Sequence, residues 1–158
     1  MAIIDPVIVK QLFETQLLTI DAAVVAAANV YVAGQRVPDG LDRWVKITNF
    51  KLLPRKMVRK AEQPAISDLV VMVMGHCSSS QMQTNSSSLQ SVLAAIVAVM
   101  MEAKSLDDSG TNHRVELLTA EAVDLGEIDA NRGISAGVVT VTGTVCRTSG
   151  VSMTARVS

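Results

Sequence analysis

Asp68-Leu69-Val70-Val71-Met72-Val73-Met74-Gly75-His76-Cys77 decides the fold. Leu69 through Met74 is apolar without alternation, and ends in a glycine and two residues of different chemistry. A short, continuous apolar run of this kind predicts a strand covered on both faces. On its N-terminal side, 44–53 alternates loosely and reads as another strand, separated from it by an irregular basic loop between Pro54 and Pro64. Further back, Pro38-Asp39-Gly40 marks a turn within 35–42, and 29–33 is β-like up to Gly34.

The chain opens with a helix pattern. Asp5-Pro6 supplies an N-cap acceptor and a proline suited to the first helical position. Phe13, Leu17, Ile20 and Val24 form one helical stripe, with Ile4, Ile8 and Leu12 beside it. The alanines at 22, 23, 26, 27 and 28 are strong helix formers, so the predicted helix runs over 6–28.

On the C-terminal side of the central strand, 78–88 holds six serines and reads as a flexible loop, handing over to a helix capped between Thr84 and Ser88. That helix, 89–104, is apolar almost all round, which predicts cover by the sheet on one side and by the first helix or a neighbouring subunit on the other. An acidic turn follows at 106–112, a strand at 113–123, a polar loop at 125–133 and a strand at 134–147. In that last strand Val139, Val141 and Val145 face one way and Thr140, Thr142 and Thr144 the other. The expected fold is α+β: a mixed or mostly antiparallel sheet of about four to five strands, with the N-terminal helix and the second, apolar helix packed on one face. One domain is expected over 1–147, with a polar tail or arm at 148–158.

With 158 residues, such a domain buries roughly two thirds of its unfolded surface. Its only aromatic residues are Phe13, Tyr31, Trp44 and Phe50, so the core must be aliphatic, with methionine filling gaps. A mean hydropathy of +0.34 alongside 18% charged residues points to an unusually complete interior or to apolar surface kept for a partner. The apolar run through Leu93 and Met101 is far shorter than the roughly 20 residues of a membrane span. Asp5, Lys10 and Glu14 interrupt any signal-peptide pattern, so no membrane or secretory role is expected. Cys77 and Cys146 form no CxxC pair, and reduced thiols are expected.

Charge is sorted into blocks. Residues 36–60 hold eight basic side chains against Asp39 and Asp42, a net of +6. Residues 102–129 hold eight acidic side chains against Lys104 and Arg114, a net of −6. Blocks of opposite sign suit docking of one copy onto the next. The basic candidates are Lys51, Arg55, Lys56, Arg59 and Lys60; the acidic ones are Asp107, Asp108, Glu121, Asp124, Glu127 and Asp129. The basic loop has three readings: a solvated loop, a docking surface, or a phosphate contact. The last is the weakest, because the loop has no aromatic side chain for stacking bases and the pI is near 6.1.

No catalytic constellation is evident. His76 and Cys77 are adjacent on a strand and so point to opposite faces, which prevents the imidazole from serving the thiol as base. His113 is isolated, and Asp107-Asp108 reads as a solvated turn. No phosphate loop, nucleophile elbow or dinucleotide fingerprint occurs. No enzyme, cofactor or metal is expected.

The order of elements resembles the tail terminator (tail completion) proteins of long-tailed bacteriophages. The matching pieces are 6–28, 29–33, 44–53, 68–77, 89–104 and the final pair of strands ending at Arg147. The segment from Arg132 through Gly133, Gly137 and Gly143 to Val145 is similar to that family's Gly-spaced last strand. The serine-rich stretch at 78–88 departs from it, being longer than the connection the family pattern implies. The resemblance implies a structural virion protein, assembled in the host cytoplasm. Six copies would form a ring that ends the tail tube and joins it to the head connector, with DNA passing through the lumen. The partners implied are other copies of the chain, the tail tube protein and the connector protein, and the basic loop is expected against an acidic neighbour rather than the DNA. Alternatives are a head–tail connector or tail-tube subunit of the same particle, or a small bacterial α+β binding module.

Overall fold

The computed structural model describes residues 4–32, 34–38, 41–54, 65–78, 82–102, 106–108, 110–129 and 133–147, with backbone alone at Pro54, Ala65, 82–88 and Leu117. Helix α1 (Pro6–Leu17) begins as its sequence predicts: the Asp5 side chain accepts from the Val7 amide at 2.9 Å and Pro6 takes the first turn. Its buried face is Val9, Phe13 and Leu17, spaced four residues apart. The helix stops there rather than at Ala28. Thr19 Oγ1 donates to the Gln16 carbonyl at 2.7 Å, and Asp21 accepts from the Ala23 amide at 3.0 Å, closing a local turn that competes with helix continuation. Ile20 and Val25 are buried beyond the turn, so packing overrides the alanines' helix propensity and leaves only a 3-10 turn at Ala27–Asn29.

Among the described residues, six strands form one sheet: β1 (Val30–Tyr31), β2 (Arg43–Pro54), β3 (Ala65–Ser78), β4 (Leu106–Asp108), β5 (His113–Asp129) and β6 (Ile134–Arg147), in the order β1-β2-β3-β6-β5-β4. Among these, β1–β2 is parallel and the other pairs are antiparallel. The α+β class and mixed sheet agree with expectation, but four to five strands is an undercount. The acidic "turn" contributes β4, and the polar "loop" at 125–129 is the continuation of β5. Gly126 makes that continuation feasible: at φ +71° it forms a turn within the strand, its amide donating to Asp124 Oδ1 at 2.6 Å, while the register shifts between Asp124 and Glu127.

Helix α2 (Met82–Glu102) starts earlier than expected and takes in the serines at 86–88. Serine costs a helix only a few tenths of a kcal/mol per residue, whereas each residue added to a formed helix gains a hydrogen bond. One face of α2, with Leu89, Val92, Leu93, Ile96 and Met100, is buried. The other is not: Gln90, Ser91, Ala94, Ala98, Met101 and Glu102 are exposed. The helix therefore has an open face of small and polar side chains with exposed Met101 near its end, not cover all round. Helix α1 touches it near one end, where Gln16 Nε2 donates to the Val99 carbonyl at 2.7 Å.

The deciding stretch lies in β3, at the sheet's centre. Leu69, Val71 and Val73 are buried on the helix-bearing face, whereas Val70, Met72 and Met74 are half-buried on the opposite face. The uninterrupted apolar run thus has one fully covered face within a single chain. Helix α2 comes close to the sheet over paired Gly75 and Gly137. A Cβ on Gly137 would lie 2.7 Å from Leu93 Cδ1 and 2.9 Å from the Val123 carbonyl. Fully burying each large apolar side chain of this core stabilises the fold by roughly 1.5–3 kcal/mol.

Two predictions follow from this packing. Gly137→Ala must push Leu93 and the β5 backbone aside and lower unfolding stability in urea by about 1–3 kcal/mol. Ala98→Leu, on the open face of α2, changes the stability of the isolated chain by less than about 0.5 kcal/mol in the same measurement.

Candidate assembly surfaces

The ends of the sheet are only nominally closed. Strand β1 pairs with β2 at Val45 and Lys46, and β4 pairs with β5 at His113, Arg114 and Val115. Over 47–53 of β2 and 116–122 of β5, no outer strand is paired among the described residues. These two strands carry opposite charge blocks. Strands β3 and β6 lie between them, so the blocks are three strand spacings, about 14 Å, apart along the sheet.

Lys51 is exposed on β2, on the face away from the helices. Arg55, Lys56, Arg59 and Lys60 lie outside the described residues. Glu121, Asp124 and Glu127 are exposed along β5, and Asp129 is half-buried at its end. Asp107 and Asp108 lie on β4 beside the start of β5. The structure therefore groups all six acidic candidates at one side of the sheet and puts Lys51 at the other. Arg114, within the acidic block itself, pairs with Glu116 at 2.7 Å and with Asp107 at 3.7 Å. These pairs are about half exposed and contribute little to stability. Asp108 Oδ1 accepts from the Gly110 amide at 3.0 Å, holding the β4–β5 turn.

Apolar side chains accompany the acids. Val123, Leu125 and Ile128 on β5 are 48%, 52% and 56% exposed. Sequence reasoning placed Val123 in a strand but missed Leu125 and Ile128, because 125–133 had the polarity of a loop. The alternation of acid and apolar residues was the available signal.

Two histidines occupy quite different settings. His76 stacks on Trp44, its register partner, with ring centroids 4.5 Å apart and planes 14° from parallel. Its Nδ1 is buried without a hydrogen-bond partner, and Cys77 is buried on the opposite face. The pair is arranged for packing, not for proton transfer between them. His113 is buried, and its Nε2 accepts from the Asp5 amide at 2.9 Å; its Nδ1 therefore holds the proton that goes to Thr111 Oγ1 at 2.8 Å. Neutral imidazole thus ties the start of α1 to the start of β5. Burial pushes both histidines below their ordinary pKa, with Arg147 adding to the effect at His113. Burial raises the Cys146 thiol, assisted by Glu116. Cys77 and Cys146 are free and lie at opposite ends of the β3–β6 pairing, facing Ser135 and Ile66 respectively.

A groove of about 450 Å³ runs beside the open face of α2, lined by Thr19, Asp21 and Val24 on one side and Ser91, Ala94 and Ala98 on the other. Among the described residues, no three His, Cys, Asp or Glu side chains converge as a metal site, and no helix is long and apolar enough to cross a membrane.

The histidines predict a pH dependence. Well above pH 6.5 they are neutral in both folded and unfolded chains and contribute no slope. Below it, the unfolded chain binds protons that the folded chain resists, so stability falls with falling pH until the folded imidazoles also protonate. Ring-proton NMR should show both histidines titrating below 6.5, and urea unfolding should give lower stability at about pH 5.5 than at about pH 7.5. The chain matches no protein-family model and none of the curated proteins compared with it.

Proposed function

We propose that this chain is a structural subunit of a homo-oligomeric ring in the neck of a long-tailed bacteriophage, ending the tail tube and joining it to the head connector. The observation that carries the reading is the placement of opposite charge at opposite sides of one sheet. A surface that is basic on one side and acidic on the other meets itself head to tail. Such heterologous contacts close into a ring when the rotation between copies divides the circle. The order of elements, which resembles the tail terminator proteins, supplies the particle and the number six. The chain acts by assembly rather than by catalysis, forming in the host cytoplasm and residing in the virion.

A second reading, a connector or tail-tube subunit of the same particle, draws on the long β5–β6 hairpin, whose strands have 17 and 14 residues. The extent of helical cover, 12 residues in α1 and 21 in α2, favours the terminator.

Charge exchange tests the assembly. Glu121→Lys with Glu127→Lys cuts the acidic block from −6 to −2 and reverses two charges on β5, and Lys51→Glu with Arg55→Glu and Lys56→Glu cuts the basic block from +6 to 0. Light scattering and native mass measurement should find each variant monomeric and folded, and their mixture assembled in alternation. Wild-type chain that stays monomeric at tens of micromolar, in low and in moderate salt, would overturn the reading. In a phage whose copy of the gene is disrupted, heads and tails should remain separate; joined particles would assign the ring elsewhere.

A further inference from the structure

We infer that the joint between copies is a continuation of the sheet itself: the outer edge of β5 over 116–122 pairs, main chain to main chain, with the outer edge of β2 over 47–53 in a second copy. This rests on the self-association proposed above and states how it is made.

The direction of the strands permits it. Strands β2 and β6 run one way, β3 and β5 the other. A copy placed alongside by rotation about an axis parallel to the strands brings its β2 antiparallel to β5, so the alternation continues across the joint. The heights also match. Reading across the registers, Leu53 is level with Glu116 through Asp68 and Thr144, and Lys51 with Thr119 through Val70 and Thr142. Asn49 is level with Glu121 through Met72 and Thr140, and Ile47 with Ala122 through Val73 and Val139. The short strands bracket this window: β4 covers β5 above it, and β1 covers β2 below it. Each edge has one register shift inside the window, between Glu116 and Thr119 on β5 and between Ile47 and Asn49 on β2, and the two offset each other so that the window's ends stay level; its lower end adjoins Val123 and Asp124, beyond which β5 shifts again.

The side chains complete the match on both faces. Away from the helices, Lys51 of the incoming β2 lies opposite Thr119, with Glu116 and Glu121 as its diagonal neighbours, within reach of a long side chain. On the helix-bearing face, half-buried Phe50 meets half-buried Ala120. Wrong pairings are opposed: a β5 edge against another β5 edge sets Glu116 and Glu121 against like charge. Charged side chains on exposed edges commonly prevent pairing. Here their signs differ between the two edges, so the same charges reject like edges and admit unlike ones.

Hydrogen exchange on the wild-type chain tests the joint, with the Glu121→Lys, Glu127→Lys chain as the monomeric reference. On assembly, the outward-facing amides of 116–122 and of 47–53 should exchange at least about tenfold more slowly, and in both windows together. If assembly is seen by light scattering but either window exchanges as in the monomer, the main-chain joint is wrong and the ring reading stands on side-chain contacts alone. If no assembly is seen at any salt concentration, the joint and the ring fall together.

Discussion

The pairing of β3 with β6 is the constraint on which the rest depends. It is a regular antiparallel ladder of 14 residue pairs through the middle of the sheet, and it needs one concession to α2. Side chains there would hold the helix away, so Gly75 and Gly137 face one another beneath Leu93. With the helix seated, Val71, Val73, Val139 and Val141 are sealed from water. If this ladder slipped by one residue, every valine would exchange faces with its polar or half-exposed neighbour.

The same ladder sets the distribution of charge. Because β6 inserts between β3 and β5, the hairpin that carries the acids is placed two strands away from the strand that leads into the basic block. Within one copy the blocks are thereby kept apart, and Arg114, inside the acidic block, pairs with Asp107 and Glu116. The far end of the hairpin remains exposed, while its near end is tied to α1 through His113 and the Asp5 amide. Among the described residues, the outer edge of β5 over 116–122 has no strand beside it, and this is the edge that the proposed joint uses.

Much of the scaffold was legible in the residues. The Asp5-Pro6 cap, the Phe13–Leu17 stripe, the β2 pattern and the valine–threonine alternation of β6 rest on local chemistry, and each lies where its pattern indicates. The failures have different causes, some in contacts distant in sequence and some in local turns and helix extension that residue preference does not reveal. Ala22 to Ala28 favour helix, but Ile20 and Val25 are drawn into the core. Serines 86–88 favour a loop, but a helix already formed below them extends through. Gly126 reads as the end of a strand, but becomes a turn within one. The charge blocks were visible as composition; their location was not, because nothing local reveals that the last strand enters the sheet's interior. For the basic candidates at 55–60 the structure adds no position, and Lys51 alone represents them.

The place of β6 in the strand order has a consequence in time. A ribosome delivers this strand after every other strand of the sheet, yet it belongs at the centre, so β3 and β5 wait with vacant flanks until it is made. Contacts this distant along the chain close slowly, and until they close there is no finished sheet with two correctly spaced borders. In the assembly proposed above, a chain still lacking β6 would have no finished sheet to offer a second copy.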